Sequence, residues 1–159
     1  MTRTAEHLGD RATWAECRLI ITELSGLSGG WGVALRGDGD GAVLRATLPT
    51  PDQGRGGGLW AREQRLSLSS AQAIGLFTRL VELDVLAFYA ARPLRPDEPC
   101  AIVSIRNAAG REASAQRPKD VAAPAIDQLL KSASRIARAA RDAPCTHEGP
   151  LGVAWNPWR

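Results

Sequence analysis

The chain has 159 residues, of which 44% are hydrophobic and 23% are charged, and its formal net charge is +3. This composition is typical of a globular protein and excludes a wholly disordered chain, a fibrous repeat and a membrane bundle. The length fits a single domain that buries enough apolar surface to fold without a disulfide or a metal.

The cysteine count and the first residues indicate a compartment. Cys17, Cys100 and Cys145 are an odd number of cysteines, which is not a disulfide framework. The first dozen residues lack the apolar segment of a signal peptide, and no apolar run reaches the roughly 18 residues of a membrane helix. The sequence therefore predicts a reduced, cytoplasmic protein that is not bound to a membrane.

We expect three parts along the chain: a polar leader over residues 1–16, a single α+β domain over residues 17–142 and a Trp-containing tail over residues 143–159. The leader is expected to be frayed or to form a short helix. Apolar and β-branched runs predict strands over residues 17–25, 31–36 and 42–48. The glycines of residues 26–30 and 37–41 indicate the turns between them.

The second half of the predicted domain mixes helices and strands. After a loop over residues 49–58, alternating polarity favours a strand over residues 59–68. Ser69 and Gln72 form a capping box that opens a helix. Strands over residues 100–106 and 111–117 flank a turn, and Pro124 begins the last helix, which Pro144 stops.

This order, ββββαββα, predicts an α+β fold with an antiparallel sheet of about six strands and two helices packed on one face. The helices would cover the sheet with two apolar stripes, made of Leu76, Phe77, Leu80 and Leu83 in the first and of Ile126, Leu129, Leu130, Ala133, Ala137 and Ala140 in the second. The other sheet face is expected to be solvated or to bind a partner.

The sequence predicts no catalytic residue, metal site or cofactor. The two histidines, His7 and His147, lie near opposite ends of the chain, and no GxSxG motif is present. The compact cluster of residues 145–148 (CTHE) lacks the second ligand pair of a structural zinc site. The glycine-rich residues 54–58 lead into a predicted strand, whereas a phosphate loop leads into a helix. No small-molecule substrate is evident.

Tryptophan and arginine, the residue types most enriched at interface hot spots, are prominent here. Five of the aromatic residues are Trp, against two Phe and one Tyr. The predicted partner-binding residues are Trp155, Trp158 and Arg159 in the tail, Arg55 in the loop, and Trp31 and Trp60. The tail either packs back on the domain or docks on a partner, and Trp31 and Trp60 face the core or the sheet surface.

The last predicted helix also carries a basic stripe. Lys131, Arg135, Arg138 and Arg141 follow one another at helical spacing, opposite the apolar stripe. Such a stripe is either a solvated helix face or a contact for the phosphates of a nucleic acid or for another acidic partner.

The layout of residues 17–140 resembles the emfourins, small bacterial inhibitors of thermolysin-like metalloproteases. The resemblance rests on residues 28–32 (SGGWG), residues 68–71 (LSSA), residues 96–98 (PDE) before residues 102–105 (IVSI), the turn over residues 107–110 and the Pro-started last helix. The segment over residues 59–68 and the tail depart from that layout. The resemblance implies a compact, non-catalytic, protein-binding domain, and it assigns no inhibitory residue.

The expected function is therefore that of a non-catalytic protein-binding module: an inhibitor, an immunity-type factor or a subunit of a larger complex. It would contact its partner through the loop over residues 49–58 and the apolar tail. The alternative is a nucleic-acid-associated protein that uses the basic face of the last helix.

Overall fold

Strands and helices account for most of the chain in a computed structural model, which describes residues 1–53, 58–90 and 92–151. The strands are β1 (Arg18–Leu24), β2 (Gly29–Arg36), β3 (Asp40–Thr47), β4 (Trp60–Ser67), β5 (Cys100–Arg106), β6 (Glu112–Pro118) and β7 (Cys145–Pro150). The α-helices are α1 (Arg3–Leu8), α2 (Ser70–Leu83) and α3 (Pro124–Ala139). Short 3-10 helices cover Arg11–Glu16, Gly26–Ser28, Pro51–Gln53 and Val85–Ala87.

The strands form one antiparallel sheet in the order β6-β5-β1-β2-β3-β4-β7. The predicted α+β class and antiparallel sheet are confirmed. The described residues form seven strands where about six were expected, because residues 145–150 of the expected tail form β7 and pair with β4. They also form α1 in addition to the two expected helices. The edge strand β7 is exposed at all but one of its positions, so its sequence has none of the apolar alternation that marks a half-buried strand.

The core lies on one face of the sheet. Side chains alternate between the two faces of a strand, and Leu19 and Ile21 of β1 belong to the buried cluster with Phe77 of α2 and Leu129 of α3. The two long helices therefore cover this first face. Arg18, Ile20, Thr22 and Leu24 take the alternate positions, which places them on the second face of the sheet.

The first sixteen residues belong to the fold. Leu8 and Trp14 are only 2% and 6% exposed and join the core. The buried Thr4 is tied to the end of α2: its backbone N–H donates to the Asp84 carboxylate, and its hydroxyl accepts from the Leu86 N–H. The hydrogen bond from the Thr4 backbone lowers the pKa of Asp84, whose own backbone is left-handed at φ 45°.

Both long helices begin where the sequence indicates. Ser69 and Gln72 form the predicted capping box of α2, and Pro124 is at the first turn of α3. The far end of α3 differs from the expectation, since the helix ends at Ala139 and Arg141 lies in the following turn. The turn hydrogen bond from the Ala143 N–H to the Ala140 carbonyl replaces the helical pattern just before Pro144.

Candidate functional site

An apolar groove lies on the second face of the sheet, opposite α2 and α3. Its walls and floor include Ile20, Thr22 and Leu24 of β1, Gly30 and Gly32 of β2, and Leu44 and Ala46 of β3, with Leu59 and Leu151 at one end. Thr22 is the one polar side chain among these residues. The groove holds about 70 Å³, well below the roughly 300–1,000 Å³ of small-molecule pockets, so it matches a side chain better than a metabolite.

Two glycines create the groove. Gly30 and Gly32 are two residues apart on β2, so both lack a side chain on the same face of the sheet. The register places them between the side chains of β1 and β3, with Gly32 opposite Thr22 on one side and Leu44 on the other. A Cβ added at Gly30 would lie 2.3 Å from the Glu23 carbonyl oxygen, so this close strand approach requires glycine.

Two exposed leucines stand at the end of the groove. Leu27 and Leu48 are 72% and 63% exposed. Because Gly29 pairs with Thr47, Leu48 lies beside the 3-10 turn that carries Leu27. Strand alternation places Leu48 on the same face as Leu44 and Ala46 of the groove, with Leu27 beside it, and we call Leu27 and Leu48 the rim leucines. Exposed apolar side chains beside an apolar groove are typical of interaction sites.

The predicted partner-binding residues are dispersed. Trp31 is half-buried, packs against the core and is also among the residues that border the apolar groove. Trp60 donates its indole N–H to Glu148 Oε1 at 3.1 Å. Neither side chain projects freely into solvent. Trp155, Trp158, Arg159 and Arg55 lie outside the described residues.

The basic residues of the last helix are all exposed. We call Lys131, Arg135, Arg138 and the following Arg141 the basic face of α3. Within residues 1–53, 58–90 and 92–151, none of the four forms an ion pair. Arg45 lies close by and donates to the Ala137 carbonyl at 2.7 Å.

The surroundings of Arg45 show that the positive potential extends around the end of α3. Burial lowers the pKa of Arg45, and the charges of Arg141 and Arg62 lower it further. Arg62 itself pairs with Glu148 at 3.8 Å. Three guanidinium groups from β3, β4 and the turn after α3 therefore share one region of the surface.

The two histidines lie far apart. His7 Nε2 is 3.1 Å from the Ile105 carbonyl oxygen, whereas His147 lies on β7 at the opposite edge of the sheet. Cys17 and Cys100 are buried, and burial raises the pKa of both thiols, which keeps them protonated. Such thiols pack as small apolar groups.

Glu98, the carboxylate whose pKa is strongly lowered, has a structural role. Arg92 donates to both oxygens of Glu98 at 2.9 and 2.8 Å, and this pair lowers the pKa of Glu98 to about 2. The Arg95 backbone N–H is a further donor to Glu98, and Asp120 accepts from Arg92 at 2.7 Å. The cluster ties the proline-rich segment before β5 to the turn after β6. A cavity of about 480 Å³ lies beside this cluster. Arg92 lines the cavity, and its guanidinium is already paired with the carboxylates of Glu98 and Asp120.

Within the described ranges, no three His, Cys, Asp or Glu side chains come together to hold a metal ion. In the CTHE segment, Glu148 accepts a hydrogen bond from Trp60 and pairs with Arg62. None of the described helices is long and apolar enough to cross a membrane.

The groove is not among the sequence-based predictions, because the interpretation of residues 26–30 as a turn separates Gly30 from Gly32. The available signal was a Gly-x-Gly pair inside an otherwise apolar strand, which indicates a close backbone approach or a ligand. Comparisons with family models, with curated proteins and with solved structures find no match to this chain.

Proposed function

We propose that this chain is a non-catalytic module that binds another protein through the second face of its sheet. A large apolar side chain of the partner fills the apolar groove and contacts the rim leucines. The observation that carries the proposal is a side-chain-sized apolar groove that ends beside two leucines mostly exposed to water. Burying such a surface against a partner is the main favourable term in protein association.

The contact segments expected from the sequence leave from this same surface. Leu48, a rim leucine, directly precedes the loop over residues 49–58, and Leu59 follows that loop and lines the groove. Leu151, which belongs to the expected tail, also lines the groove, and its N–H donates to the Leu59 carbonyl at 2.7 Å. A partner seated in the groove would therefore lie next to both expected contact segments.

The test changes the rim leucines. Leu27→Asp and Leu48→Asp place a carboxylate at the edge of the groove, and we expect each to weaken partner binding about tenfold or more, which corresponds to about 1.4 kcal/mol or more. Proteins captured by the tagged full chain are identified by mass spectrometry, and the purified candidate is titrated by calorimetry.

The matched control is Tyr89→Asp, because Tyr89 is 88% exposed and does not line the groove. All three variants should unfold within about 0.5 kcal/mol of the original chain, since they change exposed positions. A partner that binds the Leu27→Asp and Leu48→Asp variants as well as it binds the Tyr89→Asp variant would contradict the proposal.

A second candidate function is association with a nucleic acid through the basic face of α3. The observation that favours it is the set of four exposed cations without an ion pair in the described ranges, next to the group formed by Arg45, Arg62 and Arg141. Phosphates of a duplex would bind these side chains electrostatically, so the affinity would fall steeply with salt.

For this candidate, the double variant Arg135→Glu and Arg138→Glu is expected to reduce binding to a 20-base-pair DNA duplex about tenfold or more at low salt. Fluorescence anisotropy over a salt series measures both the affinity and the slope of log K against log salt. The slope should shrink by about one for each phosphate contact that is lost. Equal affinity and equal slope for the variant and the original chain would exclude the basic face as a nucleic-acid site.

A further inference from the structure

Three arginines lie side by side on the second face of the sheet, at the end of the groove away from the rim leucines. The register places Arg18 of β1 directly opposite Arg36 of β2 on one side and Arg106 of β5 on the other. Facing side chains on neighbouring strands have their Cβ atoms about 4.5–5.5 Å apart. We call Arg106, Arg18 and Arg36 the arginine row.

Like charges that face each other across strands are unfavourable, so this arrangement works against the stability of the sheet. Acidic neighbours offset part of the charge: Glu112 pairs with Arg106, and Asp38 pairs with Arg36 at 3.2 Å. Both pairs are solvent-exposed, and such pairs contribute little to stability. A ligand carboxylate can therefore compete with Glu112 and Asp38 for Arg106 and Arg36.

The arginine row adjoins the apolar groove. Ile20 and Ala34 line the groove, and each is two residues along its strand from an arginine of the row, Arg18 and Arg36 respectively. Two residues of a strand span about 7 Å. A ligand that fills the groove with an apolar side chain would therefore present its neighbouring residues to the arginines.

We infer that the partner's binding segment is an acidic peptide segment with one large apolar anchor. The anchor enters the groove, and Asp or Glu side chains one or two positions away bind the arginine row. Arginine suits this role because its planar guanidinium pairs with a carboxylate through two hydrogen bonds. This inference rests on the proposed function and specifies the chemistry of the partner.

The size of the face sets the length of the segment. Six residues separate Arg18 from Leu24 along β1, which amounts to about 20 Å. An extended segment covers this distance with about six residues, and a helix covers it with about 13. A ligand that fits this face needs an aliphatic or aromatic anchor close to its acidic groups. A peptide can place the two within one or two residues of each other, whereas a phosphate backbone has no such anchor.

The test uses a phage-displayed library of random peptides of about 16 residues, panned on the tagged full chain at low salt. We expect the enriched sequences to combine a large apolar residue with two or more Asp or Glu nearby. A synthetic peptide of the commonest sequence is then titrated by fluorescence anisotropy. The double variant Arg36→Glu and Arg106→Glu should weaken its binding about tenfold or more.

The matched control is the double variant Arg135→Glu and Arg138→Glu, which makes the same charge change on α3, on the other side of the sheet. In a titration at about 0.15 M salt, where the Debye length is about 8 Å, it should bind the peptide within about twofold of the original chain, because charges beyond that length are largely screened. A peptide with its acidic residues replaced by Lys should bind the Arg36→Glu and Arg106→Glu variant more tightly than it binds the original chain. Circular dichroism verifies that both double variants are folded.

The outcomes separate this inference from the proposed function. Peptides that are apolar but not acidic, and whose binding requires Leu48 but not the arginine row, would overturn the inference and leave the proposed function in place. A library that yields no enriched peptide would also overturn it, while the capture experiment with the rim leucines judges the proposed function independently.

Two other occupants of the groove would overturn the inference as well. If Trp155→Ala with Trp158→Ala in the full chain raises peptide affinity about tenfold or more, the tail of this chain fills the groove. If sedimentation shows a dimer that Leu48→Asp abolishes, the occupant is a second copy. We expect an unchanged peptide affinity for the Trp variant and no effect of Leu48→Asp on sedimentation.

Discussion

Replacing Phe77 with Ala is expected to lower the free energy of unfolding by about 3–5 kcal/mol, the range for deleting a large buried aromatic side chain. Phe77 is fully buried in α2, and its ring centroid is 6.3 Å from that of Trp14. The substitution removes the contact that joins α2 to the first residues of the chain, and it leaves a cavity that the surrounding strands fill only in part.

Urea denaturation followed by tryptophan fluorescence and circular dichroism measures this loss. Tyr89→Ala is the control, because Tyr89 is 88% exposed, and it should change stability by less than about 0.5 kcal/mol. A loss below about 1 kcal/mol for Phe77→Ala would mean that α2 does not pack on the sheet as described.

Gly37→Ala is expected to destabilise the protein by about 3 kcal/mol or more, because there is no room for a methyl group at this position. An added Cβ would lie 1.8 Å from the Trp14 carbonyl oxygen and 2.6 Å from its carbon. Both atoms belong to the backbone, which cannot move aside without shifting the 3-10 helix Arg11–Glu16. The hydrogen bond from the Gly37 N–H to the Cys17 carbonyl, at 3.0 Å, holds the two segments at this distance.

Gly75→Ala makes the same chemical change with the opposite expected sign. Gly75 lies in α2, and a Cβ there would meet nothing within 4 Å. Alanine is favoured over glycine inside a helix by about 1 kcal/mol, so this variant should be more stable than the original chain. Thermal unfolding of both variants provides the comparison, and equal melting temperatures would show that the contact at Gly37 is absent in solution.

These two contacts explain why the first sixteen residues are part of the fold. These residues are mostly polar and have no long apolar stripe, yet two of them, Leu8 and Trp14, belong to the core. Gly37, at the turn between β2 and β3, leaves room for the backbone of Trp14, and Phe77 packs against the Trp14 ring. Neither contact is visible in the local pattern, because the partners are more than twenty residues apart in the chain.

Local sequence patterns are sufficient to predict the strands and helices that bury one face. The strand over residues 100–106 and the capped start of α2 were predicted with the bounds that the structure shows, because periods of two and of 3.6 residues and a capping box are properties of neighbouring residues. The predicted class and the antiparallel sheet follow from the same patterns. Strand β7 was missed because an edge strand exposed on both faces does not need an apolar period.

The sequence by itself determined the α+β class with an antiparallel sheet, the buried stripes of α2 and α3, and the exposed basic face, since these follow from residue patterns within single segments and from the order of the segments. The tertiary structure alone decided the groove and the arginine row. Gly32 forms the floor of the groove because strand pairing places it between Thr22 and Leu44. Arg18 belongs to the arginine row because strand pairing places it between Arg36 and Arg106. Strand register brings these residues together from distant parts of the chain, and burial of the opposite face against the helices is what sets that register.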